Sequence, residues 1–379
     1  MGKHMIFKSF MISLFLLLVL AGCTRPAEPQ DIVIGVVWPF KTNNNLFNES
    51  IDLAVKEINA GGGINGKELK LLKEDDGSEV VKGLSIAESL ARNKSVRAVI
   101  GHRNSFISIP ASAIYSQAGL TMLSPASTAK ELTRNGYRNV FRNLPGDDKI
   151  AQRLAGHMAR LGVKQMVIYY TADAYGTGLA NLFEDQAKLL GITIVDRFNY
   201  YSNVEELKRL YSRWQAFGFD GIFIATAMPG AANFIHDAGQ AGIKGPFIGG
   251  NALDSKELIA IGGEAAEGTL VGSAFNPNSE RPEVKSFITS FRQQYHLDPT
   301  ANAALGYDAV KMLAAAMEKA GTEDRASVAD GLRDLGRWRG VCGVHELGET
   351  GDDLGNLVIL KQLQNGKFVL STRQDGAVV

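Results

Sequence analysis

Beyond about residue 30, the apolar positions of this chain follow two alternating rhythms. Ile32–Val37 is a continuous β-branched run, the pattern of a strand buried on both faces. Ile51, Ala54, Val55 and Ile58 then recur at helical spacing, and Glu68–Lys73 alternates as a strand. Leu84, Ala87 and Ala91 mark a helix, Val96–Ile100 a strand, and residues 106–117 a helix leading into a strand at Leu120–Leu123. A second series opens near Gly146. It predicts a helix over Lys149–Leu161, a strand at Met166–Tyr170, a helix over Gly178–Leu190 and a strand at Ile192–Phe198. Val204, Leu207, Tyr211 and Trp214 share a helix face; a strand at Gly221–Ala225, a helix over Ala231–Ala241 and a strand at Pro246–Ile248 follow. Val310, Leu313, Ala314 and Met317 mark a late helix. Short strands at Leu357–Gln362 and Lys367–Leu370 flank an Asn365-Gly366 turn. Strand–helix order of this kind predicts parallel sheets with helices on both faces, and two such series predict two α/β lobes of related design. Ligands of open parallel sheets sit beyond the carboxyl ends of the strands, so two facing sheets can line one cleft.

The apolar run Phe10–Leu20 stands apart. Basic groups (Lys3, His4, Lys8) precede it, and it is shorter than the roughly 20 residues of a spanning helix. That is the layout of a secretory signal. The run ends in Leu20-Ala21-Gly22-Cys23, which resembles the lipobox of bacterial lipoproteins. The resemblance implies a signal peptide over residues 1–22, a lipidated Cys23 and a polar tether over 23–30. The mature protein would then work outside the cytoplasm, anchored to a membrane by lipid, where ATP and NAD are scarce. Composition adds two exclusions. Lys plus Arg equals Asp plus Glu, 40 each, so no net field attracts nucleic acid. If Cys23 carries lipid, Cys342 is the only other cysteine, which rules out an intramolecular disulfide and a cysteine metal cluster.

Several motifs fail on context. Gly61-Gly62-Gly63-Ile64-Asn65-Gly66-Lys67 fits two phosphate-binding expressions, but a helix precedes it and a strand follows, the reverse of what phosphate binding needs. A helix C-cap and tight turn explains these glycines. Gly83-Leu84-Ser85-Ile86-Ala87 lacks the last glycine of a nucleophile elbow and falls inside a helix. His345-Glu346 reads as a surface pair. Asp75-Asp76 reads as a solvated loop, because neighbouring side chains at a strand end point opposite ways.

Gly101-His102-Arg103-Asn104-Ser105 and Met122-Leu123-Ser124-Pro125-Ala126-Ser127-Thr128-Ala129-Lys130-Glu131-Leu132-Thr133, together with Ile58-Asn59-Ala60-Gly61-Gly62-Gly63-Ile64-Asn65-Gly66, resemble the leucine/isoleucine/valine-binding proteins. These are type I periplasmic solute receptors of ABC importers. Tyr175-Gly176-Thr177-Gly178 and Gly306-Tyr307-Asp308-Ala309-Val310 extend the likeness over nearly the whole mature chain. The fold implied is two Rossmann-like lobes joined by three crossovers, near Gly146, Phe275 and Gly343. One lobe would comprise residues 31–145 with 276–342, the other 146–275 with 343–379. The resemblance implies a monomer without a cofactor. It would bind a small solute by hinge closure and present it to a membrane permease.

The same resemblance places the ligand's α-carboxylate on Ser105 and on backbone amides at Ala126 and Thr128, beside Asn104 and Ser127. Ser105 at a helix start also suits an anion on physical grounds, and a serine can cap and bind at once. Thr128 would help hold the ammonium group; otherwise it is a turn hydroxyl. Tyr175 would close over the ligand or pack on the core. Trp38 would face the cleft or the core. The likeness departs from the family at the other end of the site: its ammonium-binding acid falls at Asn251, a second-lobe tyrosine at Ala227 and a pocket aromatic at Asn302. Its disulfide positions fall near Ser78 and Asn104. A small carboxylate- or amide-bearing solute, including an amino acid, is therefore expected, with leucine, isoleucine and valine not assured. The alternatives are a sensor feeding a signalling protein and an exported hydrolase, and no nucleophile with a base is visible for the latter.

Overall fold

The structure, a computed structural model, describes residues 31–371. The signal peptide, Cys23 and the tether lie outside the described residues, as do 372–379. Five parallel strands form the first sheet: β1 (Ile32–Val37), β2 (Leu69–Glu74), β3 (Val96–Ile100), β4 (Thr121–Ser124) and β5 (Val140–Arg142), in the order β2-β1-β3-β4-β5. Helices α1 (Phe47–Ala60), α2 (Val80–Arg92) and α3 (Ser105–Gln117) connect the first four. The chain then enters a second sheet through α4 (Asp147–Arg160). β6 (Gln165–Tyr170), β7 (Thr193–Phe198), β8 (Gly221–Ala225), β9 (Phe247–Gly249) and β10 (Leu270–Ser273) alternate there with α5 (Ala174–Leu189), α6 (Val204–Ala216), α7 (Gly230–Gln240) and α8 (Lys256–Gly262).

The parallel part of the second sheet runs β10-β9-β8-β6-β7, the order of the first sheet with each strand's counterpart in place. The expected kinship of the two series is thus a shared topology. The chain next returns to the first sheet with α9 (Pro282–Tyr295), α10 (Ala301–Ala320) and α11 (Arg325–Asp334), where α10 packs along α1. A two-stranded ribbon, β11 (Trp338–Arg339) and β12 (Val344–His345), precedes the last passage. β13 (Ile359–Gln364) and β14 (Lys367–Leu370) close one edge of the second sheet as antiparallel strands.

Each sheet has apolar clusters on both faces. Trp38 is fully buried in the first of them and stacks on Phe47 with ring centroids 3.8 Å apart, while its Nε1 donates to the carbonyl of Asn43 at 3.0 Å. Its side chain belongs to the core and not to the cleft. Phe183 on Phe223 at 3.7 Å and Tyr169 on Phe234 at 4.1 Å fill the two faces of the second sheet. Burial of such a side chain is worth about 1.5–3 kcal/mol relative to exposure.

The glycine-rich segment is a turn between α1 and β2, as its context requires. Gly63 has φ 72°, and a Cβ there would meet the carbonyl oxygen of Lys67 at 2.0 Å. α5 begins four residues earlier than its apolar spacing indicates, because the Asp173 side chain caps it by accepting the amide of Gly176 at 2.8 Å. α9 is absent from the sequence-predicted elements, although Pro282 at its start and Val284, Phe287, Ile288 and Phe291 on its buried face carry the signal.

Two expectations about polar residues are corrected. Asp76 is fully buried, pairing with Nδ1 of His102 at 2.9 Å, so it is not a solvated loop residue. His345 is also fully buried, between Asp353 at 2.7 Å and Asp308 at 3.1 Å, so it is not at the surface. Both partners come from elsewhere in the chain, where local pattern carries no information.

Candidate functional site

The carboxyl ends of the strands in both sheets meet in one cavity. It holds about 510 Å³ of atom-free space, part of it open to solvent. Asn104, Ser105 and Phe106 reach it from the start of α3, Ala126 from the turn after β4, and Asn302 from the first turn of α10. The second sheet contributes Asp173 and Tyr175 from the start of α5, Ala227 from the loop after β8, and Asn251, Ala252 and Asp254 from the loop after β9. Seven expected residues therefore line one cavity, four from the first lobe (Asn104, Ser105, Ala126 and Asn302) and three from the second (Tyr175, Ala227 and Asn251).

The first-lobe wall is held by a dense buried network. The carbonyl of His102 accepts the hydroxyls of Ser108 and Ser124 at 3.1 Å and of Ser127 at 3.2 Å. The His102 ring is fixed by Asp76 and by the Tyr115 hydroxyl at 3.1 Å. Ser127 is thus a tie between two loops. It and Thr128 are buried and are not on the cavity wall. The amides of Ala126 and Thr128 have no hydrogen-bond partner among the described residues. Ser105 Oγ is engaged only by the Ala129 amide at 3.4 Å, a long contact. Ser78 and Asn104, near which the resemblance puts the family's disulfide, do meet: the Ser78 hydroxyl donates to Asn104 Oδ1 at 3.0 Å.

The second-lobe wall is less satisfied. The Tyr175 hydroxyl, Asn251 Oδ1 and Thr226 Oγ1 are buried without a partner among the described residues. Burial raises the Tyr175 phenol well above its ordinary value, so it is a neutral donor. Asp254 is paired with Lys361 at 2.8 Å and accepts the Ser273 hydroxyl.

Sequence reasoning did not mark Arg103, Phe106, Asp173, Ala252 and Asp254 as lining residues. Arg103 sits inside the motif that carries the resemblance, so position alone could have found it. Its Nε has no partner, and burial lowers its pKa while Glu257 of α8 opposes that shift. Glu257 in turn accepts from Asn43 Nδ2 across the cleft at 3.3 Å, and burial raises its carboxyl. Hydroxyls, free amides and one guanidinium around a partly closed space can hold a small anionic or zwitterionic solute.

Comparison with known proteins gives the same picture. A profile of the periplasmic binding protein family matches residues 31–367. The chain is 53% identical to an ABC transporter substrate-binding protein of Desulfitobacterium hafniense, solved in complex with Leu. That match has a TM-score of 0.84 and covers 90% of this chain and 100% of the other. A leucine binding protein from Thermotoga maritima is 27% identical, with a TM-score of 0.82 over 90% of this chain and 97% of that one. The Leu/Ile/Val-binding protein homolog 1 of Brucella suis is 30% identical over 333 residues, 85% of this chain and 87% of the relative.

Proposed function

This chain belongs to the periplasmic binding proteins, as an extracytoplasmic solute-binding receptor of the branched-chain-amino-acid class of ABC importers, and we propose that its own ligand is an α-amino acid, leucine first. The observation that carries this reading is the group of unused donors around Ser105. Its hydroxyl is nearly free, the amides of Ala126 and Thr128 are unpartnered, and the N-terminus of α3 adds a favourable dipole for a carboxylate. Phe106, Ala126, Ala227 and Ala252 supply apolar surface for an aliphatic side chain. Arg103, Asn104 and Asn302 on the same wall favour a second reading, a polar side chain.

Closure would move the two sheets about the three passages at residues 143–146, 274–281 and 340–358, with contacts from both walls favouring the closed form for the permease to engage. In this reading the solute leaves unchanged, and Cys23 holds the receptor to the membrane through lipid. Calorimetry of the purified protein against leucine, isoleucine, valine, glutamine and glutamate tests the ligand. Binding of leucine with loss of about 10-fold or more in Ser105→Ala supports the reading. No binding of any amino acid in the panel sinks it. Cys23→Ala should move the protein from the membrane fraction to the soluble one.

A further inference from the structure

The cavity beside Ser105 is not the end of the cleft. A second space continues from it, with about 810 Å³ of atom-free volume, part of it open to solvent. Arg103, Asn104, Phe106, Asp173 and Ala227 line both, so the two are joined chambers of one cleft. Where they meet, Ala227 gives the second lobe's wall only a methyl group. The second chamber carries donors and acceptors that the protein leaves unused. The carbonyl of Arg103 accepts the Ser127 hydroxyl at 3.2 Å, which fixes its backbone, yet its guanidinium makes no hydrogen bond or ion pair among the described residues. Asn43, on the chamber wall, donates through Nδ2 to Glu257 at 3.3 Å. An ionised carboxylate only accepts, so this contact settles which end of the Asn43 amide is which. Asn43 Oδ1 is then a buried acceptor without a partner among the described residues, and Thr226 Oγ1 on the facing lobe is in the same state. Resting on the amino-acid reading above, we propose that the second chamber is a side-chain subsite for a carboxamide. Arg103 donates to the amide oxygen, and Asn43 Oδ1 accepts the amide N–H, of a solute whose α-carboxylate sits at Ser105.

Charge decides between an amide and a carboxylate at this end of the ligand. The groups that act on Arg103 are Glu257, Tyr175 and Asp76; Asp76 is paired with His102, and Tyr175 is neutral. Asp173, whose carboxyl caps α5, lies on the same walls. A bound carboxylate would add negative charge beside Asp173 and Glu257 and would set Asn43 Oδ1 against another acceptor. A carboxamide adds no charge and satisfies donor and acceptor together. An aliphatic side chain long enough to reach the chamber would displace water from Arg103, Asn43 and Thr226 and give them nothing in return.

L-Glutamine, L-glutamate and L-homoleucine share one branched outline and differ only in the chemistry at its end, so they form the test set, with L-leucine as the shorter reference. Calorimetry on the wild type should give glutamine about 10-fold tighter than glutamate and than homoleucine. Arg103→Met should lower the ratio of glutamine to homoleucine affinity by about 30-fold, which reverses their order. Ala227→Leu narrows the passage between the chambers and should lower the ratio of glutamine to leucine affinity by about 10-fold; it decides the matter if Arg103→Met does not fold. Glutamine bound no tighter than glutamate, or either ratio unchanged in a folded variant, overturns the proposal. Leucine binding in the same assay then leaves the amino-acid reading standing. A wild type that binds no amino acid removes both.

Discussion

The two walls of the cleft are built differently. On the first, His102, Ser108, Ser124 and Ser127 are tied into one buried network, and among the described residues the amides of Ala126 and Thr128, Thr128 Oγ1 and Arg103 Nε are left unused. On the second, Tyr175, Asn251 and Thr226 keep buried polar atoms without partners among the described residues. One wall is organised before a ligand arrives, and the other has donors and acceptors that only a ligand can complete. A receptor that closes on its solute benefits from this split. A fixed wall captures at low entropic cost, and an unsatisfied wall supplies the difference in free energy between open and closed forms.

That comparison can be broken most sharply at the fixed wall. Asp76→Ala removes a partner of a buried histidine and should destabilise the protein by about 3 kcal/mol, read as a lower urea midpoint. A change under 1 kcal/mol would show that the network does not hold the wall. His345 gives a second test, on stability away from the cleft. Burial opposes its charge, but hydrogen bonds and attraction from Asp308 and Asp353 outweigh that and push its pKa to about 9. Its folded value lies above its unfolded value, so the stabilisation is complete below about pH 6.5 and is lost as pH rises towards 9. Denaturation at pH 6.5 and pH 9.5 should differ by a few kcal/mol, with the alkaline sample weaker, and His345→Gln should flatten the difference.

Effects at the unsatisfied wall should be smaller and should appear in binding instead of folding. Tyr175→Phe removes a hydroxyl with no partner in the empty protein. Its melting temperature should be unchanged or higher, while ligand affinity falls about 5–10-fold. A drop in stability with unchanged affinity would make Tyr175 a core residue. Asn43→Ala cuts a single contact across the rim, to Glu257, and should change affinity no more than about threefold.

Much of this architecture was legible in the residues. The β-branched run at 32–37 and the helical spacing at 51–58 depend on local periodicity, and both elements form where that periodicity puts them. Three-residue strands such as β5 are too short to show a period, and α5 starts early because a cap, not an apolar residue, defines its end. At the site, Ser105, Ala126, Tyr175 and Asn251 were found through motif likeness, and the cavity brings them together. Trp38 was ambiguous because a residue just past a strand can turn to either side, and packing on Phe47 decided it.

The amino-acid order by itself determined the alternation of strands and helices, the turn at residues 61–66, the doubling of one topology and the family of the chain. Each of these is written in short-range spacing or contiguous motifs. Tertiary structure alone decided which charges are buried and with whom: Asp76 with His102, His345 between Asp308 and Asp353, and Asp147 behind Thr128. Those outcomes depend on desolvation and on neighbours brought in by the fold, and neither leaves a trace in local pattern.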